Sequence, residues 1–374
     1  MKIIQFSFEN KSSGWRLEKL FLNKLTLLVG ASGVGKSQIL QVLLMLKEIA
    51  NGEPVKGIAW EVEFETLSKQ RCIWQGEFDD TDILLSLDMP NDSRKPKIVF
   101  EKVYVNDKLI VDRTANKILF EGKLFPKLSL EESIIHLLKE EDLKDIFSNF
   151  SLIYRSRHLE SGKSSDVTSL LARYPTLERI QHSNLSTISK LYLLSKIEPI
   201  MFSKIKEQFI SIFPTVEDIS VAPLSIQEVE RRHLPTSYGT LPFLQIKEKK
   251  VQKWIDGNYL SAGMSKTLAL LSELYLCSEG TVFLIDEFEN SLGVNCINEV
   301  VEDILASDRN LQLILTSHHP YIINAIDHKH WKLVTRDGGT ITAHDMNDYN
   351  FGKSRHSFFT QLIQLDEYQT GQAQ

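Results

Sequence analysis

The sequence predicts an α/β fold: a mixed sheet carrying a phosphate loop, with an antiparallel β subdomain and a helical insertion. Three observations predict it. Leu25–Val29 is a short apolar run that enters Gly30-Ala31-Ser32-Gly33-Val34-Gly35-Lys36-Ser37, and an apolar-periodic stretch leaves it: strand, glycine loop, helix. A second apolar run, Val282–Ile285, ends in the acidic pair Asp286-Glu287. Between the two, β-type runs give way at about Leu128 to helical periodicity.

The glycine loop has a direct chemical reading. Glycines let the backbone curl until consecutive N–H groups point inward, and the helix that follows adds the positive end of its dipole, so the loop is a cradle for anions. Lys36 is placed to reach the β- and γ-phosphates of a nucleotide. The Ser37 hydroxyl is placed to ligate Mg²⁺.

Composition bounds the class. The chain has 374 residues, 42% hydrophobic and 25% charged, as in an ordinary soluble globular protein, and its net charge of −6 gives no global attraction to nucleic acid. Any contact with nucleic acid must therefore be a local patch. Cys72, Cys277 and Cys296 stand far apart with no C-x-x-C spacing, which points away from a disulfide framework or a zinc site. The first residues lack a signal-peptide core, and no apolar run approaches the ~18 residues that cross a bilayer. The expectation is a cytoplasmic protein with no membrane partner.

In chain order, "IIQFSF" reads as a strand, "ENKSSG" as a turn, and the phosphate-loop helix ends near Gly52 and Pro54. "AWEVEFE", "RCIWQGEF", "DILLSLDM", "KIVFEKVYV" and "KLIVD" then read as strands of an antiparallel sheet, separated by turn residues such as Asn106-Asp107. Helical pattern covers "LSLEESIIHLLKEEDLKDIFSNF" and Thr176 to Phe213, stopping at Pro214, with the basic loop "IYRSRHLESGKSSD" between them. The end reads as strand, turn at Asp337-Gly338-Gly339, strand, helix and a frayed "GQAQ" tail. These elements divide as an N-terminal lobe (1–125), a mainly helical insertion (126–254) and a C-terminal lobe (255–374).

Asp286 and Glu287 fit two jobs in phosphoryl transfer: the first holds Mg²⁺, the second polarises the attacking water. Before them, "LSAGMSK" opens a helix of strong apolar periodicity, and after them "ILTSHHP" follows a strand-like run. Alone, Ser261 is an ordinary N-cap and His318 a loop histidine. The order of all four pieces resembles the ABC-type ATPases of the SMC and RecF kind, and more closely the short OLD-like ATPases of bacterial anti-phage defence. It covers residues 1–50 and about 255–345.

That resemblance implies a P-loop NTPase with an ABC-type ATPase head, using ATP and Mg²⁺. It implies catalytic roles for Glu287 and His318, nucleotide contacts along Gly30–Ser37, and metal contacts at Ser37 and Asp286. Ser261 and Gly263 would touch the γ-phosphate held by the other subunit of a head-to-tail dimer, with Lys266 closing the motif. "SLGVN" (291–295) takes the place of the loop that signals across such a dimer, but lacks the "LHP" that many relatives carry. No coupling glutamine stands out: Gln75 reads as a strand residue, whereas "IYRSRHLE" resembles the corresponding strand and loop, which draws attention to Arg155 and Arg157.

The implied function is a nucleotide-gated sensor or scaffold with a separately encoded effector, because the chain has ATPase motifs and no room after His318 for a second catalytic module of usual size. The alternative is a DNA-repair or DNA-clamping ATPase using basic loops at 155–163, 231–233 and 247–253, which read equally as solvated faces. A transporter ATPase fits less well, given the strand-rich insertion. His344, Asp345 and Asp348 lack metal-ligand spacing and read as a solvated loop.

Overall fold

The computed structural model describes residues 1–80, 95–156, 159, 165–231, 233, 235–291, 309–346 and 355–372. They divide into two compact units. The first comprises Met1–Arg155, Glu279–Glu287 and Ile304–Gln374; the second comprises Ser156–Ser278 and Phe288–Asp303.

In the first unit, strands β1 (Lys2–Asn10), β2 (Trp15–Phe21) and β3 (Leu25–Val29) precede the phosphate-loop helix Lys36–Ala50. Then come β4 (Ile58–Glu65), β5 (Arg71–Phe78), β6 (Ile98–Val105), β7 (Lys108–Thr114), β8 (Ile118–Phe120), β9 (Lys123–Phe125) and β10 (Ile153–Arg155). The second unit holds β11 (Val216–Ala222), β12 (Phe243–Glu248) and β13 (Ile255–Asp256). The first unit resumes with β14 (Val282–Ile285), β15 (Gln312–Thr316), β16 (Trp331–Asp337) and β17 (Thr340–Asp345).

Among the described residues, a 14-stranded sheet runs in the order β10-β14-β15-β3-β16-β17-β2-β1-β4-β5-β6-β7-β8-β9. Its first five strands are parallel to one another, and the β4-to-β9 end is antiparallel throughout. Composition explains the division. "LTLLV", "VFLI" and "QLILT" are buried at every residue, as parallel strands covered on both faces must be, whereas β5 alternates between buried and half-exposed residues. The helix Lys36–Ala50 buries Ile39, Leu43, Leu46 and Ile49 in the same core as Trp60, Val62, Phe64 and Trp74. Edge-to-face contacts of Phe150 with Phe64 and Trp74, at 5.1 and 5.0 Å, extend that core.

The antiparallel strands expected after the phosphate-loop helix are present, but as a continuation of the core sheet. The run "DILLSLDM" lies outside the described residues. The unit boundaries differ from those read at 125 and 254. Parallel pairing of Ile153–Arg155 with Val282–Leu284 draws the first unit's sheet to residue 155. In the second unit the helix Ala262–Leu276 packs on helices Thr187–Ile197 and Pro199–Ile212, so it belongs with the insertion. That insertion is helical as expected from 177 to 212, and also contains the antiparallel sheet β11-β12-β13. Near the end of the chain, Gly371 is buried where the sequence reads a frayed tail: a Cβ there would lie 2.6 Å from Val34 Cγ1 in the phosphate loop, and its carbonyl accepts the Arg336 N–H at 2.6 Å. No helix among the described residues is long and apolar enough to cross a membrane.

Candidate functional site

The register of the parallel strands gathers the site. Ile285 pairs with Leu315, and Thr316 with Leu28, so the residues that follow β3, β14 and β15 emerge together at the carboxyl ends of the strands. This is where open α/β sheets place their ligands.

From β3 the chain turns through the glycine loop. Gly30 has φ +148°, and a Cβ there would stand 2.4 Å from the Val334 carbonyl oxygen on β16; Gly35 has φ +107°, with Ile341 Cδ1 at 2.1 Å from its virtual Cβ. At Gly30 a side chain would meet backbone that cannot give way, and at Gly35 the end of the Ile341 side chain would have to move, so the loop lies close against the sheet. Gly35 is also the N-cap of helix Lys36–Ala50, and no side chain caps that end. The helix therefore meets the loop with its dipole directed at the cradle.

Lys36 is almost wholly buried, and its ammonium group donates to the carbonyls of Gly30 and Ala31 at 3.0 and 2.7 Å. The loop thus holds its own cation over the space the backbone encloses. Ser37 follows, and its hydroxyl donates to Asp286 Oδ1 at 2.9 Å. The same carboxylate oxygen accepts the Thr316 hydroxyl at 2.7 Å, while Oδ2 lies 3.4 Å from Arg155 Nη2. Asp286 is thereby held from three strands: β3 through its loop, β15 and β10.

Glu287 is exposed and has φ +49°, in the left-handed region that a glutamate seldom occupies. Its backbone N–H donates to the Thr316 hydroxyl at 2.8 Å, which secures the turn. Such strained conformations cost on the order of 1–3 kcal/mol and cluster at functional sites. His318 follows β15 and is half-buried. His319 caps the helix Pro320–Ala325, its Nδ1 accepting the Tyr321 N–H at 3.3 Å.

The site residues read from sequence thus fall into two sets. Gly30, Ala31, Ser32, Gly33, Val34, Gly35, Lys36, Ser37, Asp286, Glu287 and His318 all belong to the first unit. Ser261 and Gly263 belong to the second. There, Ser261 caps helix Ala262–Leu276 by accepting the Met264 N–H at 3.2 Å. Gly263 is exposed, with open space where a Cβ would stand, so packing among the described residues does not explain a glycine there.

Two contributors were not assigned these partners from the sequence. Thr316 reads only as the end of an apolar strand, and Arg155, though singled out with Arg157 in the basic loop, carries no sign of its partner. The pairing of their strands with β14 brings both to Asp286, and no local pattern encodes that pairing. Arg157 and residues 292–295 of "SLGVN" lie outside the described residues. Gln75 sits mid-strand in β5, opposite Glu61 and Lys102. Asp345 is paired with Lys332 at 2.7 Å, and no cluster of three or more potential metal-binding His, Cys, Asp or Glu residues occurs among the described residues.

Residues 25–324 match the family model described as "AAA domain, putative AbiEii toxin, Type IV TA system". Among solved structures, similarity extends to the Smc head bound to the C-winged helix domain of ScpA, at 13% identity, covering 92% of this chain and 97% of that one with a TM-score of 0.48. The SMC head domain from Thermotoga maritima is 13% identical over 92% of this chain and 99% of that one, TM-score 0.45. The Smc head domain with an extended coiled coil, bound to the C-terminal domain of ScpA and derived from Pyrococcus furiosus, is 13% identical over 93% and 97%, TM-score 0.44. No curated protein matches the chain.

Proposed function

The chain belongs to the AAA-domain family described as "putative AbiEii toxin, Type IV TA system", and from that premise we propose that it binds and hydrolyses ATP with Mg²⁺ as a nucleotide-gated switch. The observation that carries the reading is the 2.9 Å contact between Ser37 and Asp286, which joins the end of the phosphate loop to the acidic strand. The local chemistry fits the cofactor. Gly30 and Gly35 let the loop lie close against β16 and β17, and Lys36 supplies the positive charge. Ser37 and Asp286 offer two hard oxygen ligands side by side.

In this reading Lys36 and the loop amides hold the β- and γ-phosphates, and Ser37 and Asp286 hold Mg²⁺. Bound Mg²⁺ supplies neutralisation of developing phosphate charge. Glu287, turned outward by its left-handed backbone, orients the attacking water and accepts its proton. His318 contacts the γ-phosphate from the end of β15. Ser261 and Gly263 act on the nucleotide of a second copy, which makes a head-to-tail dimer the hydrolytic unit.

The biological role we propose is that of a sensor or scaffold in a multi-component anti-phage system in the cytoplasm, working with a separately encoded effector. The family description, with its "Type IV TA system", fits one component of a larger set. A DNA-clamping role is the second reading, and the exposed Lys249, Lys250 and Lys253 in the β12–β13 connection favour it.

Two variants test the chemistry. Lys36→Ala is expected to abolish ATP binding. Glu287→Gln is expected to bind ATP, turn over slowly and accumulate as an ATP-dependent dimer on size exclusion with light scattering; turnover equal to wild type removes Glu287 from its role. Capture of partners on the tagged Glu287→Gln protein with ATP and Mg²⁺ then separates the roles. A protein partner supports the effector reading, and nucleic acid released by salt supports the clamp. Nuclease activity of the purified chain alone, lost with Lys36→Ala, refutes a separate effector.

A further inference from the structure

Arg155 and Ser156 are consecutive, and each makes one contact of consequence. Arg155 ends β10, and its guanidinium lies 3.4 Å from Asp286 Oδ2, the oxygen that neither Ser37 nor Thr316 engages. Asp286 Oδ1 thus receives two hydroxyls, and Oδ2 receives a cation. Ser156, the first residue of the second unit, donates its hydroxyl to Glu273 Oε2 at 2.7 Å. Glu273 is buried on helix Ala262–Leu276, the helix whose first turn carries Ser261 and Gly263. One peptide bond therefore separates a contact to Asp286 from a contact to helix Ala262–Leu276.

We propose that Arg155 is a cation placeholder and a positioning residue: its guanidinium occupies Asp286 Oδ2 until a divalent cation competes for that carboxylate, and its release frees Ser156 to change its hold on Glu273. The proposal rests on the reading of Ser37 and Asp286 as the Mg²⁺ site. Charge supplies the reason. A carboxylate beside an anion-binding loop is costly without a positive partner, and Arg155 provides one that is half-exposed and, among the described residues, held by a single long contact. A pair of that kind is weak enough for a divalent cation to displace. A mainly structural arginine would instead be buried and multiply bonded, as Arg113 is.

The experiment is a Mg²⁺ titration of fluorescent ATP-analogue binding to the full chain, for wild type, Arg155→Ala and Arg155→Lys. Removing the competitor is expected to lower the half-saturating Mg²⁺ concentration by about threefold in Arg155→Ala, the scale of a weak exposed pair, with affinity in EDTA unchanged. Arg155→Lys, which keeps a cation, is expected to titrate like wild type. Half-saturation unchanged in Arg155→Ala overturns the placeholder role. Weaker binding in Arg155→Ala also overturns it, because Arg155 is then a contact to nucleotide.

Transmission is read by hydrogen exchange of the amides in 262–276. Wild type is expected to change its exchange on adding Mg²⁺ and nucleotide, and Ser156→Ala to lose that response while keeping the wild-type Mg²⁺ titration. A response of equal size in Ser156→Ala overturns the relay. Failure of wild type itself to bind the analogue overturns the ATPase reading, a result distinct from either of these.

Discussion

The Thr316 hydroxyl accepts the backbone N–H of Glu287 at 2.8 Å and donates its own proton to Asp286 Oδ1 at 2.7 Å. One buried side chain at the end of β15 thus fixes both acidic residues at the end of β14. It sustains Glu287 at φ +49°, a conformation that β-strand geometry cannot continue through, so the carboxylate leaves the sheet where the strand stops.

Thr316→Val keeps the shape and removes both hydrogen bonds. The expected result is a fall of about 10–100-fold in the rate of phosphate release, the scale seen when a group that orients a metal ligand is lost. ATP affinity should change by only a few-fold, because the phosphate loop is untouched. Thr316→Ser should retain most activity. Steady-state phosphate release alongside equilibrium ATP binding checks this, and equal loss in both quantities would contradict a positioning role.

Gly30 and Gly33 make a matched comparison in the same loop. An alanine at Gly30 must displace the Val334 carbonyl at 2.4 Å, whereas one at Gly33, with φ +84°, meets nothing within 4 Å and suffers only the backbone strain. Gly30→Ala is expected to destabilise by roughly 2–4 kcal/mol and to lose nucleotide binding. Gly33→Ala should cost about 1 kcal/mol. Thermal melts of the two variants decide it: equal melting temperatures would mean that contact with β16 does not restrain the loop.

The parts of the site that were legible in the sequence are those carried by local pattern. The glycine loop needs small residues at fixed positions, and buried parallel strands need unbroken apolar runs, so Gly30–Ser37, Val282–Ile285 and Gln312–Thr316 could be read directly. Pairing between distant strands leaves no such trace. Neither Arg155 beside Asp286 nor the packing of helix Ala262–Leu276 on helices Thr187–Ile197 and Pro199–Ile212 could be read from spacing. The short strands Val216–Ala222 and Phe243–Glu248 were masked by the helical pattern before them. The strand that pairs with Phe243–Glu248 on its other edge, Ile255–Asp256, is only two residues long.

Glu101 and Arg113 form a fully buried ion pair at 3.0 Å between β6 and β7, and Glu101 also accepts from Trp74 Nε1, the Ser133 hydroxyl and the Ile134 N–H. Arg113 in turn donates to the carbonyls of Glu132 and Ser129. The pair therefore ties the antiparallel part of the sheet to the chain that follows β9. Arg113→Met leaves a buried carboxylate without its counter-charge and is expected to destabilise by about 3–5 kcal/mol. The double variant Arg113→Met/Glu101→Gln should recover part of that loss, because the uncompensated charge is gone. Denaturant titration of the three proteins tests this, and a double variant less stable than Arg113→Met would refute it.

His330, in the turn before β16, has its pKa pushed below the ordinary histidine value, chiefly by burial and further by the neighbouring Lys329. The folded protein therefore resists protonating it, while the unfolded chain takes up the proton near pH 6.5. Above that pH both states hold His330 neutral and the residue has no effect on the pH dependence; below it the unfolded state binds more protons and stability falls as pH falls. Melting temperatures of wild type and His330→Gln are expected to differ by a constant amount from pH 7 to 8. Below pH 6.5 the difference should shift progressively in favour of the variant. A difference that stays constant down to pH 5 would show that the folded protein accepts the proton at His330 as readily as the unfolded chain does.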